Sequence, residues 1–110
     1  MFKIEKSKTV KWPVTVNIPR DGGRTTKATF NAEFKLLEQD ELDAVMESGG
    51  DRDVGAAVLT GWDGVADENG TTTPFSEEAR ADLLKIPYVR TAIIGAYFQC
   101  ASGREAARKN

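Results

Sequence analysis

The sequence predicts an α+β fold, an N-terminal β-hairpin followed by three to four α-helices, in a single domain of 110 residues. Three observations carry this reading. Apolar residues alternate with a period of two through two early runs, an Asp-Gly-Gly reversal separates those runs, and beyond residue 38 the apolar spacing becomes helical. The hairpin part is expected over residues 1–37, the helical part over 38–103 and a polar tail over 104–110.

In the first run, Trp12, Val14, Val16 and Ile18 alternate with Lys11, Thr15 and Asn17. In the second, Ala28, Phe30, Ala32, Phe34 and Leu36 alternate with Thr29, Asn31, Glu33 and Lys35. Each pattern puts one face of a strand on a core. Between them, Asp21-Gly22-Gly23 supplies the positive φ angles that a tight reversal requires. Pro13 lacks a ladder donor, which places the first strand at an edge or leaves Pro13 near its start.

Glu38, Asp40 and Glu41 then place negative charge at a helix N-terminus, with Leu42, Val45 and Met46 following at helical spacing. Ser48-Gly49-Gly50 is expected to stop that helix. A second helix is expected from Asp51 or Arg52 to Thr60, with Val54, Val58 and Leu59 inward, ending at Gly61. From Asp63 to Pro74 the chain is rich in turn residues and reads as a loop. Ser76 caps the next helix, which carries Leu83 and Leu84 and closes before Pro87. Pro87, well suited to a first turn, opens a last helix running to about Ser102, before Gly103.

On that last helix, Ala96, Val89, Cys100, Ile93, Tyr97, Ala101, Ile94 and Phe98 share one arc of roughly 200°. A stripe resting on one core is narrower, so one edge of the arc must meet something else. Val89, Ile93 and Tyr97 hold the middle and are expected in the core. Ile94 and Phe98 form the edge facing the hairpin or another chain, which leaves a homo-oligomer open.

The 15 basic and 17 acidic residues give a formal charge of −2, so there is no global positive field to recruit nucleic acid. No run approaches the roughly 20 apolar residues of a membrane span, and the first residues lack the apolar centre of a signal peptide. A lone Cys100 cannot form an internal disulfide, which fits a reducing compartment.

Catalytic chemistry has few carriers here. There is no histidine, the commonest general base and metal ligand. Cys100 lies in an apolar helical pattern and reads as a small core residue. Asp67, Asn69 and Gly70 match part of a calcium loop, but its first and last ligand positions would be Val65 and Ser76, so no metal is expected. Glu77 with Glu78, and Asp51 with Asp53, are explained by the positive end of a helix dipole. No glycine-rich phosphate cradle follows a strand. The expectation is a protein with no catalytic residue, no cofactor and no enzymatic activity.

The order of motifs in the second half is more telling. Val58-Leu59-Thr60-Gly61-Trp62-Asp63-Gly64-Val65, then Asp67-Glu68-Asn69-Gly70, Pro74-Phe75-Ser76-Glu77-Glu78, Ile86-Pro87-Tyr88-Val89 and Ala96-Tyr97 together resemble the tail assembly chaperones of siphophages. Gly103-Arg104 and Lys109-Asn110 fit the same pattern. The resemblance covers about half the chain, with a weaker likeness from Ala32 to Leu42. It implies a host-cytoplasmic protein that binds the tape measure protein, keeps it soluble and helps tail tube subunits assemble around it. The competing expectation is a tail or neck component retained in the virion as a ring.

A small surface of this kind would cover the apolar stripe of a helical partner through anchors at helical spacing. Trp12, Trp62, Tyr88, Tyr97 and Phe98 are the side chains large enough to anchor. The candidate partner-binding residues are Trp62, Tyr88, Ile94 and Phe98. Trp62 is also expected to act as a buried hinge between the second helix and the acidic loop.

Overall fold

The two alternating runs become a long antiparallel pair in the computed structural model, which describes residues 1–6 and 8–106. Strand β1 (Thr9–Arg20) pairs with β2 (Arg24–Lys35) in unbroken register from Thr9↔Lys35 to Arg20↔Arg24. A short 3₁₀ turn, Asp21–Gly23, joins them, with Gly22 at φ 78° and Gly23 at φ 77°. These are left-handed angles that a side chain would oppose.

Sheet and helices differ from the expected hairpin followed only by helices, and that expectation is corrected. The sheet has three strands in the order β1-β2-β3, and β3 (Leu59–Asp63) enters the chain after the first helix, antiparallel to β2. Leu59, expected as the inward end of a helix, is the first residue of that strand. A bulge explains why no alternation betrays it: Gly61 pairs with Glu33 but Leu59 pairs with Phe34, leaving Thr60 as the extra residue. Its hydroxyl donates to the Glu33 carbonyl at 3.2 Å. Leu59 and Trp62 lie opposite the inward Phe34 and Ala32, so residues three apart share one face.

Three helices are present among the described residues. α1 (Gln39–Val58) spans both of the first two expected helices, with a kink at Gly50 where φ is 64° and ψ is −147°. Glu41 accepts from the Glu38 N–H at 3.2 Å at its start, which satisfies one of the orphan donors of the first turn. α2 (Glu77–Leu84) is capped by Ser76, whose hydroxyl accepts from the Ala79 N–H at 3.0 Å. α3 (Pro87–Ala101) starts on Pro87, with Ile86 held extended before it. Of the polar tail expected over 104–110, residues 104–106 follow α3 without regular structure, and the rest, with the Lys109-Asn110 pair, lies outside the described residues.

The core lies between the sheet and the helices. Val14, Phe34, Val54, Val58, Leu59, Ile93 and Tyr97 are completely buried, and burying each large apolar side chain contributes roughly 1.5–3 kcal/mol. Tyr97 meets Phe34 edge-on at 5.5 Å and accepts from the Leu37 N–H at 3.1 Å. α3 packs along β1, where the Trp12 indole faces Gln99 at 3.4 Å. α1 and α2 approach so closely that a Cβ on Gly55 would stand 2.6 Å from Leu84 Cδ2.

Candidate functional site

Three parts of the chain enclose an apolar cleft of about 210 Å³. Its floor is the inward face of the hairpin at Val16, Ile18, Ala28 and Phe30. Leu83, Tyr88 and Val89 form one wall at the α2–α3 junction, and Gly64-Val65-Ala66 form another. The phenol of Tyr88 is the one ionisable group of the lining. Thr29 contributes the other hydroxyl of the lining, and no charged side chain is part of the cleft. Its volume is below the roughly 300–1,000 Å³ of ordinary small-molecule pockets and suits one protruding apolar side chain.

Each wall has a local cause. Pro87 fixes the first turn of α3 and sets Tyr88, half-buried, against the floor. Val65 is carried by the acidic segment, which folds as a miniature hairpin. Ala66 bridges Thr72, and the Thr73 N–H donates to the Val65 carbonyl at 2.9 Å. Asp67 Oδ1 accepts from the Asn69 and Thr71 N–H groups at 2.9 and 3.0 Å. Trp62 secures the returning arm: its indole N–H donates to the Thr73 carbonyl at 2.9 Å, and its ring meets Phe75 edge-on at 4.9 Å. Beside them, Arg80 lies 5.6 Å from the Phe75 ring centre and donates to the Leu59 carbonyl at 2.9 Å. Arg80 thereby ties α2 to the start of β3.

The four candidate partner-binding residues are not brought together. Tyr88 lines the cleft. Trp62 is absent from the cleft lining and lies half-buried, edge-on to Phe75. Ile94 is buried in the core. Phe98 is half-buried on α3 and packs edge-on to Tyr97 at 5.6 Å. Sequence reasoning missed Val65, Leu83 and Ile18 as cleft residues. The available signal was Val65 itself, an isolated apolar residue inside a polar turn.

The other chemical candidates have structural roles. Glu77 and Glu78 lie exposed in the first turn of α2, and Asp53 accepts from the Ser48 hydroxyl at 3.1 Å. Burial pushes the Cys100 thiol above its ordinary 9.0, partly opposed by Lys8, which keeps it protonated near neutrality. Among the described residues, no three acidic or cysteine side chains stand together as a metal site, and no helix is long and apolar enough to cross a membrane.

Against known proteins, a family model described as YdaY prophage protein matches residues 24–110, from the start of β2 to the last residue of the sequence. No curated protein and no solved structure matches the chain.

Proposed function

The chain belongs to the family of the YdaY prophage protein, and from that premise we propose that it is a non-catalytic tail assembly chaperone acting in the host cytoplasm. Its partners in this reading are the tape measure protein and the tail tube protein. The observation that carries it is the uncharged, side-chain-sized cleft walled by Tyr88 and Val65. A long tape measure helix presents apolar side chains in a stripe until the tube encloses it. One such side chain entering the cleft, with its neighbours lying along the exposed rim, would keep the stripe from water and from other helices. The phage origin of the family and the motif order from Trp62 to Tyr97 support the same reading.

Co-expression with the tape measure protein of the same phage tests this. The native chain should raise the soluble fraction of the tape measure protein, and Tyr88→Glu, which puts a charge at the cleft wall, should abolish that rise. Equal solubility with and without the native chain would remove the mechanism. Mass spectrometry of purified particles separates the alternative, because a retained ring component would be present in them.

A further inference from the structure

β1 is an edge strand of the three-stranded sheet. The Leu36 N–H donates to the Lys8 carbonyl at 2.9 Å, and this pair continues the register in which partner numbers sum to the same value as Thr9↔Lys35. Even-numbered residues of β1 therefore exchange hydrogen bonds with β2, and odd-numbered residues direct their N–H and C=O away from it. Pro13 and Pro19 both occupy odd positions, where the missing N–H costs the β1–β2 ladder nothing. Between them, Thr15 and Asn17 present donors and acceptors to the outside, and no loop or helix among the described residues hydrogen-bonds to them through its backbone.

A groove runs beside this edge. Thr15 and Asn17 line it on the strand side, Thr91, Ala92, Gly95 and Gln99 of α3 line it on the other, and Ala106 beyond α3 also borders the space of about 310 Å³. Small side chains there allow an added backbone to approach.

The chain also carries a strand-like segment that pairs with no strand among the described residues. Phe2 and Ile4 alternate with Lys3 and Glu5, a period of two. Yet residues 2–6 form no strand, and Phe2 and Ile4 are 86% and 75% exposed. Residues 2–6 match in length the stretch 14–18 that Pro13 and Pro19 bracket. In the monomer they lie at the opposite end of β1, beside Leu36 and Leu37.

We propose that residues 2–6 of one copy add as a strand to the β1 edge of a second copy, with Phe2 and Ile4 covering the groove beside α3, so that two chains exchange segments reciprocally. One phenylalanine contributes roughly 150–250 Å². With Ile4, the added backbone and both exchanged segments, the buried surface approaches the roughly 1,200 Å² at which specific interfaces begin. Both surfaces share β1, whose Val16 and Ile18 floor the cleft proposed for the tape measure protein, but residues 2–6 are no part of that cleft's lining, so substitutions at Phe2 and Ile4 test self-association separately.

Sedimentation equilibrium of the full chain at roughly 100 μM, well above a micromolar Kd, should give the mass of a dimer. Two variants attack its two halves: Phe2→Asp with Ile4→Asp on the segment, and Thr15→Pro on the edge. Thr15 shares the outward position of Pro13 and Pro19, so Thr15→Pro removes an edge donor and leaves the β1–β2 ladder intact. Each variant should weaken the dimer at least tenfold while its far-ultraviolet spectrum and cooperative melt persist. A monomeric native chain, or a dimer that both folded variants retain, would overturn the proposal. Should Thr15→Pro unfold, the doubly substituted segment decides alone.

Discussion

Trp62 and Thr73 close the acidic segment from its two ends, the indole N–H reaching the Thr73 carbonyl at 2.9 Å while the ring rests edge-on against Phe75. Trp62→Ala removes both and unseats Val65 from the cleft wall. The expected cost is about 3 kcal/mol. Trp62→Phe keeps a ring but leaves the carbonyl unpaired, and should cost about 1 kcal/mol from the lost bond. Denaturant melts of the pair check this. An unchanged curve for Trp62→Ala would make the residue a surface contact and not a brace.

Three glycines should respond to alanine in different ways. Gly50 has φ 64° and ψ −147° at the kink of α1, a region that only glycine occupies freely, so Gly50→Ala should cost about 1–3 kcal/mol. Gly55→Ala forces its new methyl onto buried Leu84, with overpacking of about 1–3 kcal/mol. Gly95 sits in mid-helix with open space around it, and Gly95→Ala should gain about 0.5–1 kcal/mol. Thermal melts in which Gly95→Ala is not the most stable of the three, or in which either of the other two is not destabilised, would contradict these assignments.

Alkaline stability should depend on Tyr97. Burial raises its phenol above the ordinary 10.0, and the Leu37 N–H bond pulls it only part of the way back. The folded state thus holds a proton that the unfolded chain gives up above about pH 10. Its contribution is complete below that pH and is lost as pH rises through the higher folded value. Cys100, raised from 9.0, adds a slope of the same sign. Tyr97→Phe should be about 1 kcal/mol less stable at neutral pH, with the Leu37 N–H left unpaired, and should lose less stability than the native chain on going alkaline. Identical pH slopes would refute this.

Calcium and chelators should leave the melting temperature where it is. The Asp67 carboxylate already accepts from Asn69 and Thr71, and Val65 and Ser76 bring no carboxylate to complete a calcium loop. Asp67→Ala should cost about 1 kcal/mol through the lost turn bonds. A melting temperature that rises in millimolar calcium would show that a site exists.

How far the sequence foretold this fold depends on which residues speak locally. Alternation, the Asp-Gly-Gly turn, Ser76 and Pro87 act through their own neighbours, and their effects were legible. The third strand was not, because the bulge at Thr60 cancels its alternation and Val54, Val58 and Leu59 sustain a helical spacing up to its first residue. Its partner, β2, lies more than twenty residues earlier, and pairing at that distance leaves no local mark. The same holds for the cleft. Tyr88 was a visible candidate, whereas Val65 reaches the site only through the Asp67 turn and the Trp62 bond. Ile94 and Phe98 shared one edge of a helical arc, but the first is enclosed by the protein's own core while the second is half-buried.

Placing β3 after α1 also orders events during synthesis. The β1–β2 hairpin can close as soon as residue 35 leaves the ribosome, but the outer side of β2 then waits for α1 and five further residues before Leu59–Asp63 can cover it. At roughly 5–20 residues per second, that interval lasts seconds. For that time the nascent chain exposes an open strand edge beside Phe30, Ala32 and Phe34, the kind of surface that seeds intermolecular pairing. Substitutions that delay α1, such as those at its Gly50 kink, should therefore lower the yield of correctly folded protein from the cell by more than their cost to the finished molecule would suggest.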